Sequence, residues 1–413
     1  MPKIEPKNRK LAIFIVGNLP QVDMFISISK KLKNWNFLIF NADLSKNNIA
    51  INKKLTDSNF ENRCLNAFNI LNLKRQFKIL QPEIIITGAD HDCIHHSIIY
   101  TANSLNIPTL LVQDGILNPQ DPTIKNFFYK KNIRFFKFLF NDKFSLVNKF
   151  LIVWYELKFM RNANAEKYGH GNCLKMAVYG DAVKRKFINE GIKEDKIIVT
   201  GNPKFDKIYQ NKNETDKEKI CAEFTIPKEK KIILLVTQSF VELKLWNNEQ
   251  RNQFLSVILK ATEKLSNTQL LIKIRFPYEQ KENYLEFFKD SGNPTIICQT
   301  NPIEELLGLC DVVLTVSSSV GLEAMAYQKP LIIIDLFNES GNTFYKNCGV
   351  PIVTNEQELF QNLHSVLTNE IFLKNILIRG QNFVKEQAYL QDGQAASRIA
   401  DVIINLTNNR QKE

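Results

Sequence analysis

Short apolar runs rich in Ile, Val and Leu recur along almost the whole chain, and helix-length segments separate them. Leu11–Val16, Asn36–Phe40, Glu83–Thr87 and Thr109–Gln113 have the length and β-branching of buried strands, with Gln21–Leu32 and His91–Leu105 as the helices between them. Met176–Tyr179 and Lys196–Val199 add two strands around a helix-like stretch, Gly180–Gly191. A second series follows, with strands at Lys231–Thr237, Gln269–Ile274, Thr295–Gln299, Val312–Val316 and Leu331–Asp335. Its helices are expected at Asn248–Leu265, Glu304–Leu309 and Gly321–Tyr327. Strands that alternate with helices are joined by crossovers, so the pattern predicts βαβ units and parallel sheets. A chain of 413 residues is too long for one ordinary core. The expected architecture is therefore α/β, with two Rossmann-like doubly wound domains. One covers 1–208, the other 219–375, and C-terminal helices over 376–413 close the chain. The polar stretch Tyr209–Glu218 is the expected linker.

Composition narrows the class only a little. The chain is 44% hydrophobic and 23% charged, an ordinary globular balance. Its net charge of +11 suits an anionic partner: a nucleotide-linked substrate, nucleic acid or an acidic membrane surface. Seven scattered cysteines fit neither a disulfide framework nor a zinc knuckle, and read as buried thiols of a reducing cytoplasm. No window reaches the roughly 20 apolar residues that span a bilayer, and Leu11–Val16 is too short for a signal-peptide core.

Ligands of doubly wound sheets bind beyond the carboxyl ends of the strands. The most informative such place is Asp311-Val-Val-Leu-Thr-Val-Ser-Ser-Ser-Val-Gly-Leu-Glu-Ala-Met-Ala-Tyr-Gln-Lys-Pro330. Here a strand runs into Ser317, Ser318 and Ser319, then a helix, then Lys329-Pro330. Small residues at such a turn leave backbone N–H groups open to an anion, and the helix dipole adds attraction. Glu323, one turn inside the helix, can accept from both hydroxyls of a ribose. Taken from the residues alone, serines that only cap a helix are the alternative.

This segment resembles the nucleotide-sugar signature of the GT-B superfamily, shared by UDP-N-acetylglucosamine 2-epimerases and bacterial surface-polysaccharide transferases. Thr315 to Pro330 lies without a gap on the epimerase pattern T-D-S-G-G-x-Q-E-E-A-x-x-x-G-K-P. Ser317 falls on its serine, Glu323 on its ribose-binding glutamate and Lys329-Pro330 on its Lys-Pro. Ser318 and Ser319 replace two glycines, and Val316 replaces the aspartate. Ala177–Gly191, Ile197–Asp206 and Asp392–Asp401 resemble, in order, the segment that closes the first domain and the final helix that crosses back to it.

Lys273-Ile-Arg-Phe-Pro277 stands where relatives carry a Lys-x-His-Pro type motif, with Phe276 in the histidine's place. Lys273 and Arg275 are candidates to neutralise a diphosphate, against the plainer reading of two solvated cations. Thr237 and Gln238, ending the first strand of this domain, are candidates to line the nucleotide.

In the first half, the loops Gly88-Ala-Asp-His-Asp92 and Gln113-Asp-Gly115 follow strands and hold acid–base groups. Epimerases carry I-P-x-x-H-x-E-A-G here, so Leu111 and Gln113 remove a histidine and a glutamate. Transferases of the glycerophosphotransferase type carry a His-Gly, with Asp114 at the histidine position. Asp114 is thus the candidate general base for an acceptor hydroxyl, with Asp90, His91 and Asp92 as rivals and an Asp-Gly turn as the plain alternative. Gln113 and Gly17, after the first strand, are candidates to touch substrate. His91 and His95 form an i, i+4 pair with no third ligand in view, so no metal site is expected.

Phe127–Arg161 carries eight Lys and Arg against Asp142 and Glu156, and is dense in Phe. It suits either a helix on anionic lipid or aromatics packed into the first domain.

The resemblance implies a metal-independent, cofactor-free glycosyltransferase, moving a sugar or polyol phosphate from a nucleotide-activated donor to a cell-surface glycan or lipid-linked acceptor. The implied place of work is the cytoplasm or the inner face of the membrane, with no nucleic acid partner. The alternatives are a 2-epimerase acting on the nucleotide sugar, and a degenerate sugar-nucleotide-binding scaffold.

Overall fold

The structure is a computed structural model that describes residues 9–42, 49–58, 60–65, 72–116, 146, 149–150, 153, 167–211, 217–276, 278–289, 295–338 and 344–410. The basic aromatic segment Phe127–Arg161 lies almost wholly outside these residues. The chain divides into two compact units. The first runs to Gly115, resumes up to Asp206 and takes in the C-terminal segment from Gln387; the second is chiefly Lys207–Glu386.

The first unit holds a seven-stranded sheet in the order β3-β2-β1-β4-β5-β6-β7. Its strands are β1 (Lys10–Val16), β2 (Trp35–Asn41), β3 (Glu61–Cys64), β4 (Ile84–Thr87), β5 (Thr109–Val112), β6 (Lys175–Val178) and β7 (Ile197–Val199). Every pairing is parallel, as the alternation required. Side chains alternate between two cores, the period-2 consequence of the pleat. Ala12, Phe14 and Val16 join Ile84, Ile86, Leu110 and Val112 on one face; Ile13, Ile15 and Ile85 pack on the other. The helix Leu19–Ser29 and the final helix Ala395–Arg410 cover the first face through Val22, Phe25, Ile399 and Ile403. Asp206 fixes the start of that final helix by accepting from the amides of Ala395 (2.9 Å) and Ala396 (2.8 Å). Two of the four amides orphaned at a helix start are thereby satisfied.

The second unit holds a six-stranded parallel sheet in the order β10-β9-β8-β11-β12-β13. These strands are β8 (Lys231–Val236), β9 (Thr268–Lys273), β10 (Thr295–Cys298), β11 (Val312–Thr315), β12 (Leu331–Ile334) and β13 (Ile352–Val353). The central strands β8, β11 and β12 are apolar and buried along almost their whole length, as a parallel sheet covered on both faces requires.

The expected linker is shorter than the polarity of Tyr209–Glu218 suggested. The helix Pro203–Asn211 enters it from one side and the helix Lys217–Glu223 from the other. An amphipathic helix end can be as polar as a loop, so composition overextended the boundary.

Candidate functional site

Strand order reverses once in each sheet, between β1 and β4 in the first unit and between β8 and β11 in the second. A crevice opens at such a point because the two crossover connections leave in opposite directions, and ligands of open α/β sheets bind there.

At the first switch point, Asn18 caps the helix Leu19–Ser29 by accepting from the amide of Gln21 (2.9 Å). Gln21 is buried, and its Oε1 accepts from the amide of Gly17 (2.7 Å). The amide nitrogens of both side chains then converge on one atom. Asp114 Oδ2 accepts from Gln21 Nε2 at 2.7 Å and from Asn18 Nδ2 at 3.1 Å. Asp114 is half-buried, and its Oδ1 has no hydrogen-bond partner among the described residues. Gly88 makes this bracket possible. A Cβ at that position would stand 2.5 Å from Gln21 Cδ, so any side chain would push Gln21 away.

The other first-unit candidates separate by what they are bonded to. Asp90 is fully buried and accepts from the amides of Gly169 (2.8 Å) and Gly171 (2.7 Å). Burial pushes its carboxyl up, against those two hydrogen bonds. Asp90 thus ties the end of β4 to the loop 169–171. Gln113 is also buried: its Oε1 accepts from the amide of Tyr179 (2.8 Å) and its Nε2 donates to the Gly115 carbonyl (2.7 Å). Gly17 contributes its amide to Gln21. His91 is exposed, with its ring 6.0 Å from that of Tyr168.

Sequence reading paired His95 with His91 and missed its partner, Asp92. Asp92 caps the helix Cys93–Asn103 through the amides of Ile94 and His95, and its Oδ2 lies 2.6 Å from His95 Nδ1. Burial works against both charges, yet the pairing wins: Asp92 is held well below the usual carboxylate range, and His95 is raised. His95 Nε2 is buried without a partner. The signal was present as Asp followed by His three residues on, the spacing that puts both on one side of a first helical turn.

At the second switch point, Gln238 and Ser317 hold each other. Gln238 Oε1 accepts from the Ser317 amide (2.8 Å), and Gln238 Nε2 donates to Ser317 Oγ (2.9 Å). Thr237 donates to Glu279 (2.6 Å), which also accepts from the Arg275 amide (2.7 Å) and from the Tyr284 hydroxyl. Ser318 Oγ accepts from the Val320 amide (3.3 Å). Ser319 precedes the helix Val320–Ala326 and makes no side-chain cap. The amides of Ser318 and Ser319 have no hydrogen-bond partner among the described residues. Of the three serines, Ser318 is thus the one whose side chain accepts from the first amide of the helix.

Glu323 is 2% exposed, inside that helix. Lys329 donates to the carbonyls of Gly308 (3.2 Å) and Cys310 (2.8 Å), closing the end of the helix Ile303–Leu309. The Lys of Lys329-Pro330 is thus a helix cap. Lys273 is half-buried and donates to the Gln299 carbonyl, and burial lowers its ammonium. Arg275 is exposed and lies over the Tyr278 ring at 5.3 Å. No cluster of three or more His, Cys, Asp or Glu able to hold a metal occurs among the described residues. None of their helices is long and apolar enough to cross a membrane.

Known structures share this architecture across nearly the full chain. A UDP-N-acetylglucosamine 2-epimerase from Neisseria meningitidis, bound to UDP-GlcNAc, is similar with a TM-score of 0.62 at 14% identity, over 96% of this chain and 100% of that one. A glycosyltransferase from Rickettsia africae gives 0.58 at 16%, over 98% and 100%. A mutant wall teichoic acid polymerase, TagF, soaked with CDPG, gives 0.58 at 12%, over 98% and 90%. At such identities the likeness establishes the GT-B fold of two Rossmann-like domains and not the reaction. No curated protein sequence matches the chain. A family model described as UDP-N-acetylglucosamine 2-epimerase matches residues 174–404, more than half of the chain. By that match, the chain belongs to the UDP-N-acetylglucosamine 2-epimerase family.

Proposed function

We propose that the protein is a transferase that moves a sugar or polyol phosphate from a nucleotide-activated donor to a hydroxyl of a glycan or lipid-linked acceptor. The observation that supports this reading is Asp114. Two amide donors hold one carboxylate oxygen, and the other is left without a hydrogen bond among the described residues. A general base needs this arrangement: a fixed carboxylate plane and an oxygen ready for a proton. The acceptor hydroxyl gives its proton to Asp114 Oδ1. Its oxygen attacks the anomeric carbon or phosphorus of the donor, and the bond to the nucleotide's leaving oxygen breaks. The second unit holds the nucleotide. Its open amides at Ser318 and Ser319 face the phosphates, Arg275 supplies positive charge, and Glu323 accepts from the ribose. The scheme calls for no metal or cofactor. The charge excess of Phe127–Arg161, which lies almost wholly outside the described residues, is the ground for placing the acceptor at an anionic membrane surface.

The family match favours a second reading, 2-epimerase chemistry on the nucleotide sugar itself. That chemistry needs acid–base groups where this chain has Leu111, Gln113 and Phe276. Leu111 is buried, Gln113 is bonded within its own unit, and Phe276 is an exposed apolar ring.

Purified protein incubated with UDP-, CDP- and GDP-sugars and CDP-glycerol, with and without glycan acceptors, tests the choice. Transfer that depends on acceptor is the expected result. Conversion at C2 without acceptor would establish the epimerase and overturn the transferase.

A further inference from the structure

We infer that Tyr345 is a positioning residue of the nucleotide site: its hydroxyl latches the turn Ser317–Leu322 and thereby sets Glu323. The inference rests on the nucleotide site proposed for the second unit. Tyr345 is fully buried and lies outside every motif of the sequence. Its hydroxyl bridges the two ends of the turn, donating to the Ser318 carbonyl (2.5 Å) and accepting from the Leu322 amide (3.0 Å). One side chain thus holds the carbonyl just before the helix Val320–Ala326 and an amide of its first turn.

Gly321 is shaped to this contact. A Cβ there would stand 2.6 Å from Tyr345 Oη and 2.8 Å from its Cζ, so the phenol reaches the turn only because position 321 has no side chain. The ring is itself fixed by a T-shaped contact with Phe344 at 5.2 Å and by Phe383 at 6.3 Å. Phe383 belongs to the long helix Glu370–Ala388, which also binds the other end of the short helix. Gln381 Nε2 donates to the Met325 carbonyl (2.6 Å), and Gly380 packs on Met325.

The latch matters for binding because the helix carrying Glu323 has only seven residues. So short a helix has few internal hydrogen bonds to hold its own first turn. Without the hydroxyl, the Ser318 carbonyl keeps only its bond from the Gly321 amide (3.0 Å), and the Leu322 amide keeps only its longer bond to the Ser319 carbonyl (3.1 Å). The amides of Ser318 and Ser319 and the carboxylate of Glu323 then lose their common register. Burial holds the Tyr345 phenol well above its ordinary range, so the latch stays neutral and intact across physiological pH.

The experiment is calorimetric titration of the full chain with UDP and CDP, comparing wild type, Tyr345→Phe and a control, Val366→Ala. Val366 is buried in the helix Glu356–Thr368, which carries none of the proposed site residues. The control separates loss of stability from loss of register. The expected result is that Tyr345→Phe raises Kd about tenfold or more while Val366→Ala leaves it unchanged, both measured well below their melting temperatures. Wild-type affinity in Tyr345→Phe would overturn the latch and leave the nucleotide site standing. Absence of nucleotide binding in wild type would overturn the site reading and the latch with it. Should Tyr345→Phe fail to fold, Phe383→Leu, which keeps the hydroxyl but loosens the ring, is expected to raise Kd about threefold, and an unchanged Kd there would count equally against the latch.

Discussion

The two switch points share one topology and spend their polar side chains in opposite ways. In the first unit the side chains converge on an acid: Asn18 and Gln21 both donate to one oxygen of Asp114. In the second unit the side chains satisfy one another, Gln238 with Ser317 and Thr237 with Glu279. What stays open there among the described residues is backbone, the amides of Ser318 and Ser319. An oriented carboxylate suits proton transfer, whereas fixed backbone dipoles suit an anion that must be held and not protonated. The proposed function draws reactivity from one switch point and binding from the other, by a choice of which groups are left without a partner among the described residues.

Asp114→Asn gives the largest expected effect. Asn keeps the shape and the Oδ acceptor for Gln21 and Asn18, but loses the basic oxygen. With the donor and acceptor that the panel identifies, turnover should fall about 10²–10⁴-fold, the usual worth of a positioned proton acceptor. Nucleotide affinity, which the proposed function assigns to the second unit, should not change. Full turnover in a normally melting Asp114→Asn protein would erase the contrast between the two edges.

Gly88→Ala attacks the same bracket from behind. The added methyl meets Gln21 Cδ at 2.5 Å, so Gln21 must leave its rotamer and release Asp114 Oδ2. Overpacking of this kind costs about 1–3 kcal/mol of stability. Turnover should drop about tenfold to a hundredfold, less than for Asp114→Asn because the carboxylate itself remains. Chemical denaturation and initial rates check both. Loss of stability with unchanged turnover would mean that the bracket holds the loop and not the base.

The strands at the centre of each sheet were legible because burial on both faces writes them as unbroken apolar runs: Leu11–Val16 and Lys231–Thr237 match β1 and β8 within a residue. The edge strands were not. Glu61–Cys64 is polar and partly exposed, and Ile352–Val353 is two residues long. Their strand geometry comes from a neighbour's free hydrogen bonds, which leave no periodic mark on the sequence. The site divides in the same way. Asp114 and Ser317–Ser319 stood out because each interrupts a strand-to-helix pattern with a residue of clear chemistry. Gln21, Gly88 and Tyr345 did not, because their roles depend on contacts with residues 93, 67 and 23–27 positions away. Lys329, a basic residue inside the same signature as Ser317–Ser319, serves as a helix cap.

Gln238→Leu probes the second edge. It keeps the volume and removes both bonds to Ser317, leaving a half-buried amide and hydroxyl without partners. The expected stability loss is about 1–2 kcal/mol. Nucleotide affinity should weaken several-fold through the displaced turn, while a first-unit readout such as the His95 imidazole titration stays put. Unchanged nucleotide affinity would show that Ser317 holds its place without Gln238.

The smallest effect expected is in pH dependence, and it belongs to the first edge alone. In the Asp92–His95 pair the histidine is raised above its unfolded value and the aspartate is lowered. The raised histidine contributes stability that is fully present below its unfolded pKa of about 6.5 and is lost as pH rises through its folded value. The lowered aspartate contributes stability that is present above its unfolded pKa of about 3.9 and is lost as pH falls through its folded value. Both contributions therefore overlap between about pH 4 and 6.5, the window in which the ion pair is complete. The Asp92 side chain is 43% exposed, and solvent screening keeps the effect modest. His95→Gln should lose stability relative to wild type most in that window, with the gap narrowing toward pH 8, as followed by urea denaturation. A stability difference that is flat from pH 5 to 8 would show that His95 acts by packing, and that the first edge is no more sensitive to pH than the second.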